Sequence, residues 1–494
     1  MLGFALCIAK CELKLSLIST HGSPEPLGKI RLSWLTLSAY NNTKTFIKGP
    51  LVDVQENKMR KYLSVLFLLC LVACMSGGPR SNNTISTNNE NSATTDTYCH
   101  EKNKVIDSDK TVVNVYLETS GSMNGYVNGG TSIFQQVVKE YLSGIKNAGF
   151  ASSVNYNYIN SRVIPKGDDL DQYITKLTPQ SFSSQGNTAT TDIGGIFKTI
   201  LEATDNNTIS IFISDCIISP GQNNDPQAYA RGQMTDVRDA IVGYVNKYKD
   251  LACMVFQFDS GFKGTYYDYL NVAHKKTDMQ RPFYIWVFGH TALVALLKLN
   301  YVPDKDFRIA PIRNQWFIFN TPLADLQPEN KYGLLLSSGA QNGNYTRVNA
   351  TTARGIQRFG EGYRFSFGAY LATANYLMGE DYVEDTDNYV HLVSKSTKQE
   401  FYGVIEKDEG STSPYTNIFR VESENPFQKG TFTLAFVPKV PKWVAACNDD
   451  DDRTFNGSNN DKTYGIINIF NGVYNGFNSG NHDNILAQFD FEIK

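Results

Sequence analysis

Residues 111–119, TVVNVYLET, decide the fold, because this apolar run is followed at once by the polar residues 120–122. The run is rich in β-branched side chains and has no helical period, which predicts a buried parallel strand. After a loop rich in Gly, Ser and Asn, residues 134–148, FQQVVKEYLSGIKNA, carry the apolar spacing of an amphipathic helix. A strand, a polar loop and a helix in this order predict the first unit of an α/β sheet.

The same alternation of strand and helix continues for nearly 190 residues. Further strands are predicted at 153–163, 209–214, 252–258 and 283–288, and further helices at 192–204, 226–249 and 291–299. Such alternation is typical of a doubly wound, mostly parallel sheet with helices on both faces. We therefore expect an α/β domain over residues 109–302.

Oxygen-bearing side chains stand where three of these segments should converge. Glu118 lies at the end of the first strand and is followed by Ser120 and Ser122, Thr191 precedes a helix, and Asp215 ends the strand predicted at 209–214. In open α/β sheets, ligands bind beyond the carboxyl ends of the strands. Carboxylates and hydroxyls are ligands for a hard divalent cation such as Mg²⁺. An alternative needs no ligand: the serines cap a helix or close a turn, and Asp215 merely ends its strand.

These residues resemble the metal-ion-dependent adhesion site of von Willebrand factor A domains. Glu118, Ser120 and Ser122 match that family's Asp-x-Ser-x-Ser motif, Thr191 its Thr, and Asp215 its third element. The resemblance implies a Mg²⁺ ion, or another divalent cation, that these five residues hold and that a partner protein's carboxylate completes. Two positions depart from the family. Glu118 is one methylene longer than Asp, and Cys216 stands where Gly is common.

A second resemblance concerns the apolar residues 63–72, LSVLFLLCLV, which follow the basic pair Arg60 and Lys61. Ten residues are too few to cross a bilayer as a helix, so the segment indicates a secretory signal. Its end, Leu-Val-Ala-Cys74, resembles the lipobox of bacterial lipoproteins and implies cleavage before Cys74 and acylation of that residue. An ordinary signal with an accidental Cys is the alternative. We expect residues 1–58 to be a mis-assigned extension, 59–74 the signal peptide and 75–108 a flexible tether.

Composition narrows the class of protein. The chain has 494 residues, 46 basic and 49 acidic, and this charge balance argues against a nucleic-acid partner. The resemblance to a lipobox implies a protein that is lipid-anchored in the cell envelope. We expect the anchor to lie in the outer membrane and the protein to face the periplasm or the exterior. Cys99, Cys216, Cys253 and Cys447 lie beyond the signal. At most one disulfide is expected, with Cys216 and Cys253 as free buried thiols.

From residue 303 the helical period fades and short β-prone segments take over. Strands are predicted at 315–319, 332–337, 363–367, 389–394, 400–406, 419–422, 431–437, 464–470 and 485–493, with one helix within 360–380. This spacing predicts a β-rich region, 303–494, forming a sandwich or two small domains. The last hundred residues most resemble one immunoglobulin-like unit. The acidic run 449–452 lacks the spacing of an EF-hand loop, so a solvated turn is expected there.

No catalytic motif is evident, because the six His residues lack metal-ligand spacing and no nucleophile elbow or phosphate loop occurs. The leading hypothesis is therefore a non-enzymatic binding, adhesion or assembly protein, lipid-anchored, that uses its A-type domain on a protein partner. The alternatives are a hydrolase whose divalent cation activates water, and a glycan-binding lipoprotein with exposed aromatic side chains.

Overall fold

The computed structural model describes residues 111–494 except 130–131, 148, 150, 184–190, 219, 221–224, 271, 302–308, 327–330, 337–341, 393–401, 408–414, 454–459 and 480–483. The predictions for residues 1–58, 59–74 and 75–108, including acylation of Cys74, lie outside these residues. The described residues all belong to one compact unit.

A seven-stranded mixed sheet forms the first half of the described chain. Its strands are β1 (Val112–Glu118), β2 (Ser153–Ile159), β3 (Val163–Gly167), β4 (Thr208–Ser214), β5 (Ala252–Tyr267), β6 (Ala273–Gly289) and β7 (Asn314–Phe319). They lie in the order β3-β2-β1-β4-β6-β5-β7. All seven residues of β4 are buried, as expected of a central strand.

The predicted parallel pairing is confirmed at the centre of this sheet, where β1 lies parallel to both β2 and β4. Outside that core the pairs are antiparallel: β2 with β3, β4 with β6, β5 with β6, and β5 with β7. The sheet is therefore mixed. The difference arises from two hairpins, β2–β3 and β5–β6, in which the chain turns back without a crossover helix.

Helices cover both faces of the sheet. The first half contains α1 (Ile133–Asn147), α2 (Leu170–Thr175), α3 (Pro179–Ser183), α4 (Ile193–Glu202), α5 (Pro226–Tyr248) and α6 (Thr291–Tyr301). One apolar cluster joins α1 and α6 to the side chains of one face of β1, including Val113 and Val115. A second cluster joins α4 and α5 to Tyr116 on the other face. Because successive strand residues point to opposite faces, the run in β1 is buried on both sides.

The β-rich second region is confirmed and contains eleven further strands within the described residues. They are β8 (Tyr332–Leu334), β9 (Asn344–Arg347), β10 (Thr352–Phe359), β11 (Gly362–Ala369), β12 (Tyr389–Leu392), β13 (Tyr402–Lys407), β14 (Asn417–Ser423), β15 (Gly430–Phe436), β16 (Asn448–Asp449), β17 (Thr463–Tyr464) and β18 (Ala487–Ile493). The helices are α7 (Leu323–Leu326), α8 (Ala372–Met378), α9 (Glu380–Val383), α10 (Lys442–Cys447) and α11 (Ile466–Phe477). Helix α8 confirms the helix expected within 360–380.

The larger strands of this region run in the order β12-β15-β18-β10-β11-β14-β13, with β8 on β11 and β9 on β10. Strand β10 is shared, because its start pairs with β18 and its end with β11. Aromatic side chains from the two sides of β10 meet in the core: the ring centroids of Phe367 and Phe491 lie 4.6 Å apart, and those of Phe365 and Phe432 5.4 Å.

The last hundred residues do not form a separate immunoglobulin-like unit. Strand β14 pairs with β11, and β18 pairs with β10, so both depend on strands from earlier in the chain. Residue 303 does not separate two independent cores either, because β7 completes the first sheet.

Residues 464–470, predicted as a strand, lie largely in helix α11, and that prediction was wrong. Its buried residues Ile466, Ile469, Phe470, Val473 and Phe477 follow the helical period and contact α5 of the first half. Two glycines of α11 allow the close approach. A Cβ at position 472 would lie 2.7 Å from the Met234 carbonyl oxygen, and one at position 476 would lie 2.5 Å from the Ile241 Cβ.

Two further observations bear on the sequence predictions. Cys216, Cys253 and Cys447 are free and buried, which confirms the free thiols expected at the first two positions. Among the helices of the described residues, none combines the length and the apolar character that crossing a bilayer requires.

Candidate cation site at the strand ends

The structure brings the five residues of the predicted site together. Glu118 is the last residue of β1, Asp215 directly follows β4, and these two strands are neighbours in the sheet. Thr191 directly precedes the N-cap residue of α4. The Thr191 hydroxyl donates to Glu118 Oε1 at 3.0 Å, and the Ser120 and Ser122 hydroxyl oxygens lie 2.9 Å apart. All five side chains are buried.

Glu118 is held by hydroxyl groups. Besides Thr191, the Ser214 hydroxyl donates to its second carboxylate oxygen. Ser214 Oγ in turn accepts the Cys216 backbone N–H at 2.7 Å. The extra methylene of Glu118, compared with the Asp of A domains, thus lets the carboxylate span from α4 to the end of β4. A divalent cation bound here would have to share Glu118 with these two donors.

Asp215 is the less satisfied carboxylate. Its Oδ1 accepts the Ile217 backbone N–H at 3.3 Å. Its Oδ2 is buried and has no hydrogen-bond partner among the described residues. The next residue, Cys216, has φ +56°, a left-handed conformation that favours glycine. Its Sγ accepts the Trp286 indole N–H at 3.3 Å, which fixes the turn against β6.

A hairpin covers the site. Strands β5 and β6 continue past the end of β4, since Ser214 pairs with Tyr284 while the pairing of β5 with β6 runs on to Tyr267 and Ala273. A short 3-10 helix, Ser122–Tyr126, lies under it. The Tyr126 hydroxyl donates to the Pro282 carbonyl at 2.6 Å, and the Phe262 ring occupies the space that a Cβ at Gly125 would need.

Arg281, on this hairpin, is the buried cation beside the cluster. Its side chain is 1% exposed, and its guanidinium lies 4.6 Å from the centroid of the Tyr266 ring. Burial alone would lower the pKa of Arg281, but the nearby acidic groups Tyr266, Tyr126, Asp215 and Asp452 outweigh burial and raise it. Arg281 therefore supplies positive charge that acts on the buried carboxylates of Asp215 and Asp452.

Burial and mutual repulsion make the two strand-end carboxylates poor acids. Burial, followed by the charge of Asp215, raises the pKa of Glu118 to about 7, although the Ser214, Ser120 and Thr191 hydroxyls act against this. Burial also raises the pKa of Asp215, while Ser122, the Ile217 N–H and Arg281 act in the opposite direction. Glu118 is therefore partly protonated near neutral pH.

The raised pKa of Glu118 predicts a pH-dependent stability. Between the ordinary glutamate value of 4.5 and the folded value of about 7, the unfolded chain loses the Glu118 proton while the native state keeps it. Stability from this group is therefore full below pH 4.5 and is lost as pH rises, by about 1.4 kcal/mol per pH unit at most. Glu118→Gln should remove about 2–3 kcal/mol from the fall in unfolding free energy between pH 5 and 7.5.

Urea denaturation at the two pH values measures this difference. Glu202→Gln, at an exposed position of α4, is the matched control and should leave the pH dependence of the wild type intact. Identical pH dependence in wild type and Glu118→Gln would show that Glu118 ionises in the folded protein as it does in the unfolded chain.

The donor set is compatible with a hard cation but contains few charges. No group of three or more His, Cys, Asp or Glu side chains able to hold a metal ion is found among the described residues. The strand-end cluster contributes two carboxylates, and its remaining oxygens are hydroxyls. Mg²⁺ favours such oxygen ligands. The buried Asp215 Oδ2 is the atom with unused capacity to accept.

The acidic run 449–452 is only in part the solvated turn that the sequence predicted. Asp450 is exposed and the Asp451 side chain is 45% exposed, whereas Asp449 and Asp452 are buried. Asp452 is 2% exposed and accepts the Tyr266 hydroxyl and, at 2.9 Å, the Tyr269 backbone N–H. Asp452 therefore holds the covering hairpin in place, because it accepts hydrogen bonds from two residues of that hairpin.

The other features considered from the sequence lie elsewhere. His274 Nε2 lies 2.8 Å from Asp268 Oδ2, and His290 Nε2 lies 3.4 Å from Asp250 Oδ2. The His391 ring stacks on Phe432, while His482 lies outside the described residues. One aromatic residue, Tyr267, is among the exposed large apolar residues of the described chain, so nothing there favours an aromatic sugar platform.

Comparison of the chain with protein-family models, with curated proteins and with solved structures found no match. The likeness to A domains therefore rests on the residues themselves.

Sequence reasoning missed two groups of the site. Ser214 could have been found, since it directly precedes Asp215; Arg281 could not, because it lies 66 positions beyond Asp215 on a hairpin that the sequence did not reveal.

Proposed function

We propose that this chain is a lipid-anchored, extracytoplasmic binding or assembly protein whose A-type sheet carries a divalent cation, Mg²⁺ or a similar ion, at its strand ends. The observation that carries the proposal is the convergence of Glu118, Ser120, Ser122, Thr191 and Asp215. Chain-distant oxygens meet at one edge of a sheet, where such sheets bind ligands. The unpartnered Asp215 Oδ2 supplies a reason for a cation to bind there.

A cation at this place would be enclosed. The five side chains are between 1% and 8% exposed, and the β5–β6 hairpin lies over them. The low exposure of these five side chains argues against direct contact between the ion and a carboxylate from a partner protein, which the resemblance implies as a ligand. We therefore propose that the cation would stabilise the strand-end loops and that partners contact the outer surface. Enclosure also disfavours the hydrolase alternative, which needs access for water and substrate.

Cation binding should raise the thermal stability of the polypeptide 75–494. An ion present at about 100 times its dissociation constant adds about 2.7 kcal/mol to the stability of the state that binds it. The effect should be larger at pH 8 than at pH 6, because the cation competes with the proton on Glu118, whose pKa is about 7. Thermal unfolding in Mg²⁺ and in EDTA at both pH values measures this.

Asp215→Asn should abolish the Mg²⁺ effect, because the amide keeps the size of the side chain and removes the charge. Asp239→Asn, at a position 61% exposed, is the matched control and should keep it. A transition unchanged by Mg²⁺ at both pH values would leave the cluster as a polar core without a cation.

The anchor is proposed from the lipobox alone, and it is tested separately. Cells expressing the full chain should incorporate labelled palmitate into the wild type, and the protein should sediment with membranes. Cys74→Ser should lose essentially all of the label, because the acylated thiol is missing. Cys99→Ser, at the first Cys beyond the signal, should retain the label. Equal labelling of wild type and Cys74→Ser would refute the anchor.

A further inference from the structure

Arg281 lies on the same face of the first sheet as the strand-end carboxylate of Asp215. Ile213 on β4 pairs with Ile285 on β6, and both side chains belong to the same apolar cluster. Side chains two or four positions apart along a strand point to one face of the sheet. Asp215 comes two positions after Ile213, and Arg281 comes four positions before Ile285. The alternation along the two neighbouring strands therefore places both charged groups on this face, at the end of β4.

Contacts with neighbouring elements hold Arg281 in this place. Ser260 of β5 is its strand partner, and the guanidinium lies 4.6 Å from the centroid of the Tyr266 ring. The carbonyl of the next residue, Pro282, accepts the hydroxyl of Tyr126, which belongs to the 3-10 helix that follows β1. Because the side chain of Arg281 is 1% exposed, its charge is screened little by water. Arg281 is thus a positive charge fixed beside the cluster.

The charges of Arg281 and Asp215 act on each other. Burial raises the pKa of Asp215, and Arg281 is one of the groups that act against this. Burial alone would lower the pKa of Arg281, and Asp215 is among the acidic groups that outweigh it. Coulomb energies are larger in a protein interior than in bulk water. Arg281 therefore supplies part of the charge compensation that a cation bound to Asp215 would supply.

This compensation leaves one oxygen of Asp215 open to an ion. The buried Oδ2 of Asp215 accepts no hydrogen bond from any described residue, the guanidinium of Arg281 included. The same guanidinium also acts on Asp452, whose side chain is 2% exposed. A hard divalent cation binds carboxylate oxygens directly. Such an ion would therefore find an available oxygen whose negative charge is already partly balanced.

We propose that Arg281 is a built-in competitor of the divalent cation: it balances Asp215 while the ion is absent, and its repulsion weakens the binding of the ion. The inference rests on the proposed cation site and assigns the residue that regulates it. The charge of the ligands sets the affinity of a carboxylate site for a divalent ion, so a fixed positive charge beside the site lowers that affinity. The site therefore releases its ion readily, and the fold persists without it.

Titration of the polypeptide 75–494 with Mn²⁺ at pH 8, followed by electron paramagnetic resonance, tests the proposal. Arg281→Met should bind the ion about tenfold or more tightly than the wild type, because no other cation then acts on Asp215. Mn²⁺ should also restore most of the thermal stability that this variant loses in EDTA. Arg313→Met is the matched control, because Arg313 is 28% exposed and pairs with Asp259 and Asp461. It should bind the ion as the wild type does.

A second variant keeps the test decisive if Arg281→Met does not fold. In Arg281→Met/Asp452→Asn, the amide still offers an acceptor to the Tyr266 hydroxyl and the Tyr269 N–H, and only Asp215 is left uncompensated. This double variant should bind Mn²⁺ about tenfold or more tightly than Asp452→Asn alone.

The outcomes separate this inference from the proposed cation site. If the wild type binds Mn²⁺ and the removal of Arg281 leaves the affinity unchanged or weaker, the competition is refuted and the cation site stands. If neither the wild type nor any Arg281 variant binds the ion, the cation site itself is refuted, and the competition with it.

Discussion

Exchanging Arg281 for methionine should lower the free energy of unfolding by about 3–5 kcal/mol, because removing one partner leaves buried charges uncompensated. Arg281 is 1% exposed and lies near the buried carboxylates of Asp215 and Asp452. Methionine keeps much of the volume of the arginine side chain. The loss of unfolding free energy therefore measures the removal of the charge rather than the creation of a cavity. Urea denaturation at neutral pH measures it. The loss should shrink at acidic pH, where protonation of Asp215 removes the need for a cation.

The matched control is Arg313→Met. Arg313 pairs with Asp259 and Asp461, but its side chain is 28% exposed, so the pair is solvated and should contribute about 1 kcal/mol or less. If Arg281→Met were as mild as Arg313→Met, the guanidinium would not be what balances the strand-end carboxylates.

Phe470→Ala should destabilise the whole polypeptide 75–494 by about 3–5 kcal/mol through loss of buried area and the cavity left behind. The Phe470 ring lies 4.9 Å from the Trp286 ring centroid, 5.4 Å from that of Trp316 and 5.2 Å from that of Trp443. It therefore joins β6 and β7 of the first sheet to α10 in one core. Tryptophan fluorescence reads this core directly, because these are the three tryptophans beyond residue 74.

Unfolding should remain a single transition, displaced as a whole in Phe470→Ala. Ile467→Ala, a half-buried position on the same helix, should cost less than half as much. Two transitions, of which only the later one moves, would mean that residues 109–302 and 303–494 fold independently as the sequence suggested.

Much of the central sheet could be predicted from sequence, because each of its strands is marked by the pattern of its own residues. An apolar run such as 111–119 needs no partner to be recognised, and the polar residues that follow it must lie at a strand end. The meeting of Glu118 with Asp215 then follows from placing β1 beside β4, as parallel strands with adjacent ends.

The covering hairpin and α11 could not be predicted in the same way. Residues 259–282 are rich in Gly, Lys, Asp and Tyr, and their pairing depends on contacts with the distant Asp452. Helix α11 carries β-prone Ile and Phe residues, and its helical conformation is decided by packing on α5. The immunoglobulin-like unit was wrong for the same reason, since strand partners far apart in sequence leave no local signal.

Direct binding of Mn²⁺, as a paramagnetic substitute for Mg²⁺, to the polypeptide 75–494 tests the central claim that the strand-end oxygens form a cation site. Electron paramagnetic resonance at pH 8 should detect one bound ion per chain, displaced by Mg²⁺, absent in Asp215→Asn and retained in Asp239→Asn. Wild-type protein that leaves all Mn²⁺ free, or Asp215→Asn that binds as well as the wild type, would contradict the account.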